Sequence, residues 1–184
     1  MPKYFAFYKP YGVLSQFTPE GGHPALNEFH LPKDVYAAGR LDHDSEGLLL
    51  LTDDGPLIKK LLTPGAKEKC YWVQVERTPS EESVEDLKKG VLIGEYQTLP
   101  CRAQRIDEPE LPPRNPPIRF RKNVETTWME IYLTEGKNRQ VRKMTAAIGH
   151  PTLRLVRVGL GKLHLKKLNL KLGEYCEVRL EDIL

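Results

Sequence analysis

The amino-acid sequence predicts an α+β fold built on a largely antiparallel β-sheet. Stretches with the two-residue alternation of strands and stretches with the periodicity of helices follow one another without the strict β-α-β order of a parallel sheet. Of the 184 residues, 40% are hydrophobic, which is enough for the core of one domain or of two small halves that share a cleft.

The first half of the chain is predicted to contribute three strands and two helices. The strand candidates are apolar or alternating stretches bounded by turn residues, whereas residues 15–38 are rich in Pro and Gly and predict turns. The clearer helix, 80–89, begins at the capping residue Ser80, has acidic residues in its first turn and stops at Gly90. The predicted strands are 3–8, 48–52 and 69–76, and the other predicted helix is 57–62.

The second half is predicted to combine short strands with one helix and one proline-rich loop. Residues 108–122 contain five prolines and four basic residues, a composition that disfavours regular structure and predicts an exposed, semi-rigid loop. The helix predicted at 138–148 begins at Asn138, a capping residue type, and its apolar residues recur at i, i+3 and i+7. The predicted strands are 91–93, 101–106, 128–133, 152–160 and 163–165.

The distribution of charge indicates a polyanionic partner. The net charge is only +3, but residues 136–173 contain ten Lys or Arg residues and no Asp or Glu. A segment this one-sided is typical of a surface that faces nucleic acid, and the alternative is a solvated basic face.

Other classes of protein are disfavoured by composition. The longest aliphatic run is four leucines and the N-terminus lacks the apolar run of a signal peptide, so we expect a cytoplasmic protein. The three cysteines are far apart without CxxC spacing and the five histidines are scattered, which argues against a disulfide framework and a zinc site.

Residues 39–55, GRLDHDSEGLLLLTDDG, concentrate ionisable groups at the mouth of a predicted strand. Asp44 and Ser45 fit a tight polar turn whose side chains bond nearby backbone amides. Asp42 precedes that turn, at a position where a buried carboxylate would require a cation. On these grounds Asp42 is as easily structural as functional, whereas the acidic residues of the same stretch, Glu46, Asp53 and Asp54, are interpreted as turn and solubility residues.

The basic helix predicted at 138–148 supplies a cation for Asp42. Arg142 lies beside the apolar stripe of this helix and would reach the floor of a groove, while Arg139 and Lys143 are expected to face outward. An arginine beside a carboxylate keeps that carboxylate ionised, as a nucleophile requires.

Several motifs resemble one enzyme family over about residues 3–180. GRLDHDSEGLLLLTDDG, together with YKPYGV, KCYWVQV, EGKNRQVRKM and GHPTLRLVRVGLGKLHL, resembles the RsuA/RluB/RluE/RluF family of ribosomal RNA pseudouridine synthases. The resemblance implies a pseudouridine synthase fold, a mixed, mostly antiparallel sheet in two halves with a central catalytic cleft. Many members carry an N-terminal S4-type RNA-binding domain. Because the first motif begins at Tyr8, we expect one catalytic domain, 1–184, without that extra domain, as in the branch acting on 23S rRNA.

The resemblance also implies roles for individual residues. Asp42 corresponds to the catalytic aspartate, Tyr71 to the aromatic residue that stacks on the target base and Arg142 to the partner of the aspartate. Leu155 would pack at the site, and Arg40 would fill the gap left by the flipped base. Trp72 would point to the opposite face of the strand from Tyr71. The other residues expected to bind substrate are Arg139, Lys143, Arg157, Arg119 and Arg121.

The implied reaction breaks the N1–C1′ bond of a uridine and rejoins the base through C5, so we expect no cofactor and no metal. The carboxylate starts the reaction as a nucleophile at ribose C1′ or uracil C6, or as a base at C2′.

We expect ribosomal RNA as the partner, no membrane association and a monomeric protein. A non-catalytic ribosome-binding protein on the same scaffold is the alternative. A DNA-binding regulator is disfavoured because no helix-turn-helix is visible.

Overall fold

The α+β prediction is confirmed, because a mixed β-sheet of nine strands dominates the protein. A computed structural model describes all 184 residues. Two further short strands, β5 and β6 below, pair only with each other. The strands are β1 (Tyr4–Lys9), β2 (Tyr36–Ala38), β3 (Glu46–Thr52), β4 (Lys69–Glu76), β5 (Leu92–Ile93), β6 (Tyr96–Gln97), β7 (Arg102–Ile106), β8 (Thr126–Leu133), β9 (Thr152–Leu160), β10 (Leu163–His164) and β11 (Tyr175–Glu177).

The helices begin at capping residues that the sequence supplies. The side chain of Asp54 accepts a hydrogen bond from the backbone N–H of Leu57 (3.0 Å), and Ser80 accepts one from that of Ser83 (3.1 Å), which confirms the predicted cap. None of the helices is both long and apolar enough to cross a lipid bilayer. The helices are α1 (Gly55–Leu62), α2 (Glu81–Lys89), α3 (Gln140–Ala147), α4 (Leu165–Leu168) and α5 (Leu180–Ile183), with a 3-10 helix at Leu26–Phe29.

The sheet consists of two halves that meet at one short parallel contact. Its strand order is β11-β1-β3-β9-β4-β8-β7, and every neighbouring pair is antiparallel except β3 and β9. These two strands pair only through Glu46–Val156 and Gly47–Arg157. Gly47 has a φ of 116°, and a Cβ at this position would clash with the backbone of Arg157, so the close contact requires glycine.

Alternation along the strands separates two faces of the sheet. On β3, Leu48 and Leu50 belong to one apolar cluster and Leu49 to another. On β4, Trp72 packs with the first of these clusters, whereas Tyr71 packs in a third cluster that also contains residues of α2 and α3. The prediction that Tyr71 and Trp72 point to opposite faces is therefore confirmed.

The proline-rich segment 108–122, called the arm below, has no regular secondary structure, as predicted. Two arginines fasten its N-terminal part to the sheet. Arg154 donates a hydrogen bond to the carbonyl oxygen of Pro112 (2.7 Å). Arg114 donates to a backbone carbonyl of β9 (3.3 Å) and lies over the ring of Tyr11. The arm is thus anchored at its N-terminal part by these contacts and at its C-terminal part by the ion pair of Arg121 with Glu76 of β4 (2.7 Å).

The sequence did not predict the shortest elements. The strands β2, β6 and β11, the 3-10 helix and the helices α4 and α5 have two to four residues each. Such lengths carry too little periodicity to be distinguished from loops. The strand predicted at 163–165 is one residue shorter in the structure, because α4 begins at its third residue.

Candidate active site

The candidate active site is a cleft of about 500 Å³ between the two halves of the sheet, within the size range usual for small-molecule sites. One wall is the loop that precedes β3, the floor comes from β4 and β9, and the other wall is the turn before α3. The lining residues include Gly39, Arg40, Leu41, Asp42, Lys69, Tyr71, Glu135, Arg139, Leu155 and Arg157.

The loop that carries Asp42 is held from both sides. The hydroxyl of Ser15 donates to the carbonyl oxygen of Leu41 (2.7 Å) and accepts from its N–H (3.1 Å), and Leu41 is buried. The N–H of Ser45 donates to the carbonyl oxygen of Asp42 (3.0 Å), which closes the predicted turn. The Asp42 side chain is 35% exposed, so it is half-buried at the cleft wall and less buried than expected.

The cation that contacts Asp42 is Arg139, so the expected pairing with Arg142 is wrong. Nη1 of Arg139 lies 3.2 Å from Oδ2 of Asp42. Arg142 instead donates to the backbone carbonyl of Asp44 (2.7 Å) and lies near the hydroxyl of Ser45 (3.4 Å), where it braces the turn.

Arg139 was predicted to face the solvent, and backbone geometry explains why it faces the cleft instead. Arg139 precedes α3 with φ 52° and ψ 35°, in the left-handed region, so the helix starts at Gln140 and Asn138 does not cap it. A non-glycine residue in this region costs about 1–3 kcal/mol, and such residues cluster at functional sites. The left-handed turn breaks the helical spacing from which an outward position was inferred.

Asp44 holds Arg139 more firmly than Asp42 does. Its two carboxylate oxygens accept from Nη1 and Nη2 of Arg139 at 3.0 and 2.9 Å, a bidentate arrangement. Burial alone would raise the pKa of Asp44, but the hydrogen bond from Arg139 and the positive charges of Arg142 and Arg139 lower it to about 2. Asp44 is therefore ionised at any working pH. It accepts from an arginine side chain and not, as predicted, from backbone amides.

Tyr71 and Leu155 share the cleft with Asp42, as the resemblance led us to expect. Arg157, expected to bind substrate, also lines the cleft, and Arg40 lies exposed at its rim. The Arg157 side chain donates to the carbonyl oxygens of Leu48 (2.9 Å) and Gly39 (2.8 Å) and is only 2% exposed. It joins β9 to β3 and to the start of the Asp42 loop, which gives it a structural role alongside its place in the cleft.

Three of the predicted substrate-binding residues lie outside the cleft. Lys143 is exposed on α3. Arg119 and Arg121 line a separate hollow on the arm, and Arg121 pairs with Glu76 (2.7 Å). The acid-free segment 136–173 is likewise divided, because only the turn before α3, the start of α3 and part of β9 line the cleft.

Buried charged residues near the site were missed or misread from the sequence, among them Lys9, Lys69, Glu46 and Arg154. Lys9 donates to the carbonyl oxygens of Pro10, Val13 and His43, and burial lowers its pKa to about 7. Lys69 lines the cleft on the same strand face as Tyr71, a placement that its i−2 spacing from Tyr71 could have revealed.

The other two form an ion pair. Glu46, interpreted from the sequence as a turn residue, is 2% exposed and bonded twice to Arg154, at 2.8 and 2.9 Å. The interpretation of Glu46 as a solubility residue is wrong, because β3 begins at Glu46 and carries it into the interior.

Comparison with known proteins finds similar sequences over nearly the whole chain. A family model described as RNA pseudouridylate synthase matches residues 3–147. The ribosomal large subunit pseudouridine synthase E of Vibrio parahaemolyticus is 51% identical over 179 residues, which cover 97% of this chain and 74% of that relative. The protein of the same name from Xanthomonas axonopodis is 56% identical over 164 residues, 87% of this chain and 86% of that relative.

Solved structures share the architecture. A crystal structure described as a pseudouridylate synthase superposes with a TM-score of 0.80 at 25% identity and covers 100% of this chain and 73% of the other. An H/ACA RNP bound to a substrate RNA containing 2′-deoxyuridine superposes with a TM-score of 0.57 at 13% identity, over 93% of this chain and 56% of that one, which shows a shared fold alone.

Proposed function

The chain belongs to the RNA pseudouridylate synthase family and is therefore an enzyme that isomerises uridine in RNA to pseudouridine; we propose that its substrate is large-subunit ribosomal RNA and that Asp42 is the reacting group. The observation that carries the assignment of the site is the cleft itself, where the half-buried Asp42 carboxylate, the Arg139 guanidinium and the Tyr71 ring face one space. A ribosomal RNA substrate also implies a cytoplasmic location.

Access to the uridine requires base flipping, because a stacked base cannot reach a carboxylate in a cleft. Tyr71 lines the floor and offers its ring to the flipped uracil, and Leu155 packs beside it. Base–aromatic stacking is worth about 1–3 kcal/mol, comparable with the few kcal/mol that flipping costs. Arg40, exposed at the rim, is positioned to occupy the gap left in the RNA.

The two oxygens of Asp42 have different surroundings, which favours one of them as the reacting atom. Oδ2 accepts the hydrogen bond from Arg139, whereas Oδ1 has no hydrogen-bond partner. Because Asp44 takes two of the three hydrogen bonds that Arg139 gives to carboxylates, Asp42 is positioned by the arginine without being fully occupied by it. Oδ1 then acts at ribose C1′, uracil C6 or the C2′ proton.

Substrate identity is tested by mapping pseudouridine in RNA treated with the purified protein. Transcripts of 23S rRNA should release tritium from C5-labelled uridine and gain pseudouridine at one position, and 16S rRNA and tRNA transcripts should gain none. Modification of only the 16S rRNA or tRNA would contradict the proposed substrate. Binding to 23S rRNA without any isomerisation would instead favour a non-catalytic ribosome-binding protein.

The arm is expected to strengthen RNA binding without taking part in the reaction. Phe120 is 87% exposed between Arg119 and Arg121, and an exposed ring between cations is a stacking surface for single-stranded RNA. Changing both arginines to Ala should raise KM for an rRNA fragment and leave the single-turnover rate at saturating RNA unchanged. If both arginines contact phosphates of single-stranded RNA, the plot of log K for RNA binding against log salt concentration should become less steep, its slope changing by about 1.4.

A matched control removes two cations elsewhere. Arg102 and Arg179 are exposed and paired with acids, as Arg121 is, but lie at an outer strand and at the C-terminus. Changing both to Ala should leave KM within about twofold. A loss of the saturated rate in the arm variant would place the arm in the active site, and no change in KM or rate would show that it is only a connector.

A further inference from the structure

Lys69 is a buried lysine in the floor of the cleft whose charge has no partner. It opens β4 two residues before Tyr71, so both side chains lie on the same face of the strand. Only 6% of the Lys69 residue is exposed, and its ammonium group, which reaches the surface of the cleft, makes no hydrogen bond and no ion pair within the protein. Buried charges are ordinarily paired, because an isolated one is costly. A bound ligand would supply what this ammonium group lacks.

The nearest acid does not fill that role. Glu135 also lines the cleft, but its carboxylate forms no ion pair with the ammonium group and is occupied by other donors. These donors are the N–H of Leu99 (3.0 Å), the amide of Gln140 (2.6 Å) and the hydroxyl of Tyr96. Glu135 therefore fixes the turn before α3 and leaves Lys69 without an acceptor.

The other neighbour increases the local positive charge. Arg157 lies in the same floor and its donors are directed at backbone carbonyls. Burial, with the charge of Arg157, lowers the pKa of Lys69, and the negative charge of Glu135 opposes that effect more weakly. The floor of the cleft is thus short of acceptors and suited to a ligand that gains negative charge.

Uracil gains negative charge in each of the three ways in which Asp42 could start the reaction. Attack at C1′ and loss of the C2′ proton both release the base with the N1–C1′ bonding electrons, which spread over N1, O2 and O4. Attack at C6 moves electrons from the C5–C6 double bond towards O4. A carbonyl oxygen of the base therefore becomes an oxyanion whichever route operates.

We propose that the ammonium group of Lys69 donates a hydrogen bond to a carbonyl oxygen of the flipped uracil and stabilises the negative charge that this oxygen gains during the reaction. The inference rests on the proposed site with Asp42 and Tyr71. The reaction remains balanced: the base forms the C5–C1′ bond, Asp42 leaves the carbon that it attacked or returns the C2′ proton, C5 loses a proton and N1 gains one. Lys69 stays protonated throughout and needs no co-reactant.

The proposal is tested by two substitutions that keep the size of the side chain. Lys69→Met should lower the single-turnover rate at saturating RNA by about 10²–10³-fold, the usual effect of removing one donor to an oxyanion. The rate of Lys69→Gln should lie between those of Lys69→Met and the parent, because glutamine keeps a neutral hydrogen-bond donor. RNA affinity should change less than threefold, and Lys60→Met, which removes an exposed lysine from α1, should retain the parent rate.

Thermal unfolding separates this role from a structural one. Because Lys69 is buried without a partner, its replacement by Met should leave the melting temperature unchanged or raise it. RNA with 4-thiouridine at the target is a second measurement. Sulfur accepts hydrogen bonds poorly and spreads negative charge better than oxygen, so the difference in rate between parent and Lys69→Met should narrow on it if the acceptor is O4.

Three results would overturn the proposal. An active parent with a Lys69→Met rate within threefold removes Lys69 from the reaction and leaves the proposed function intact. A lower rate accompanied by lower melting temperatures in both variants indicates a structural role. Absence of pseudouridine with the parent on every rRNA overturns the proposed function and the role of Lys69 together.

Discussion

Replacing Asp42 with Asn is expected to abolish pseudouridine formation, with a loss of at least about 10⁴-fold in the single-turnover rate. An amide of the same size keeps an oxygen near Arg139 but acts neither as a nucleophile nor as a base. The fold should tolerate the change, because the Asp42 side chain is 35% exposed and Arg139 remains held by both oxygens of Asp44. Tritium release from C5-labelled uridine in an rRNA fragment measures the effect.

Asp53→Asn is the matched control for this substitution. Asp53 is exposed just after β3, and its carboxylate accepts only from the N–H of Lys3 (2.7 Å). Like Asp42→Asn, the Asp53→Asn substitution removes one negative charge from this stretch of the chain, but it does not alter the cleft. Activity should therefore stay within about twofold of the parent. Activity of Asp42→Asn within tenfold of the parent would remove Asp42 from the mechanism.

The position of Asp42 could be predicted because it depends on local sequence. The turn DHDSEG is short and polar, and the four leucines after it, bounded by turn residues, favour a buried strand, which places Asp42 at the entrance to the interior. The face of Tyr71 followed from strand alternation in the same way. Both inferences needed only local sequence: an apolar run bounded by turn residues for Asp42 and the two-residue period of a strand for Tyr71.

The partner of Asp42 could not be predicted, because it depends on one backbone angle. The helical spacing of the segment 138–148 placed Arg142 inward and Arg139 outward. In the structure the left-handed conformation of Arg139 ends that spacing one residue before the helix. An arginine does not indicate such a turn, because residues in the left-handed conformation are usually Gly, Asn or Asp.

The burial of charged side chains between distant strands also could not be predicted from the sequence. Arg154 and Arg157 contribute to the acid-free segment that suggested an RNA-facing surface, yet they are 9% and 2% exposed. Their partners, Glu46 and the carbonyl oxygens of Leu48 and Gly39, lie more than a hundred residues away in the chain. Only the pairing of β3 with β9 brings them together.

The ion pair of Glu46 and Arg154 is the most deeply buried ion pair of the protein and joins the two halves of the sheet. Glu46 starts β3 and pairs with Val156 of β9, where the halves meet in parallel. Arg154 donates to both oxygens of Glu46 and to the carbonyl oxygen of Pro112, so the pair also anchors the arm. Removing one partner leaves the other charge buried and unpaired.

Arg154→Met is therefore expected to lower the free energy of unfolding by about 3–5 kcal/mol, and Glu46→Gln to destabilise similarly. In the double variant the loss should be smaller than the sum of the two, because no unpaired charge remains. Urea denaturation followed by tryptophan fluorescence measures all three. Lys88→Met, which breaks the exposed pair with Glu85 (2.9 Å), should cost less than about 1 kcal/mol. A cost below about 1 kcal/mol for Arg154→Met, or strictly additive losses, would show that this pair does not hold the halves together.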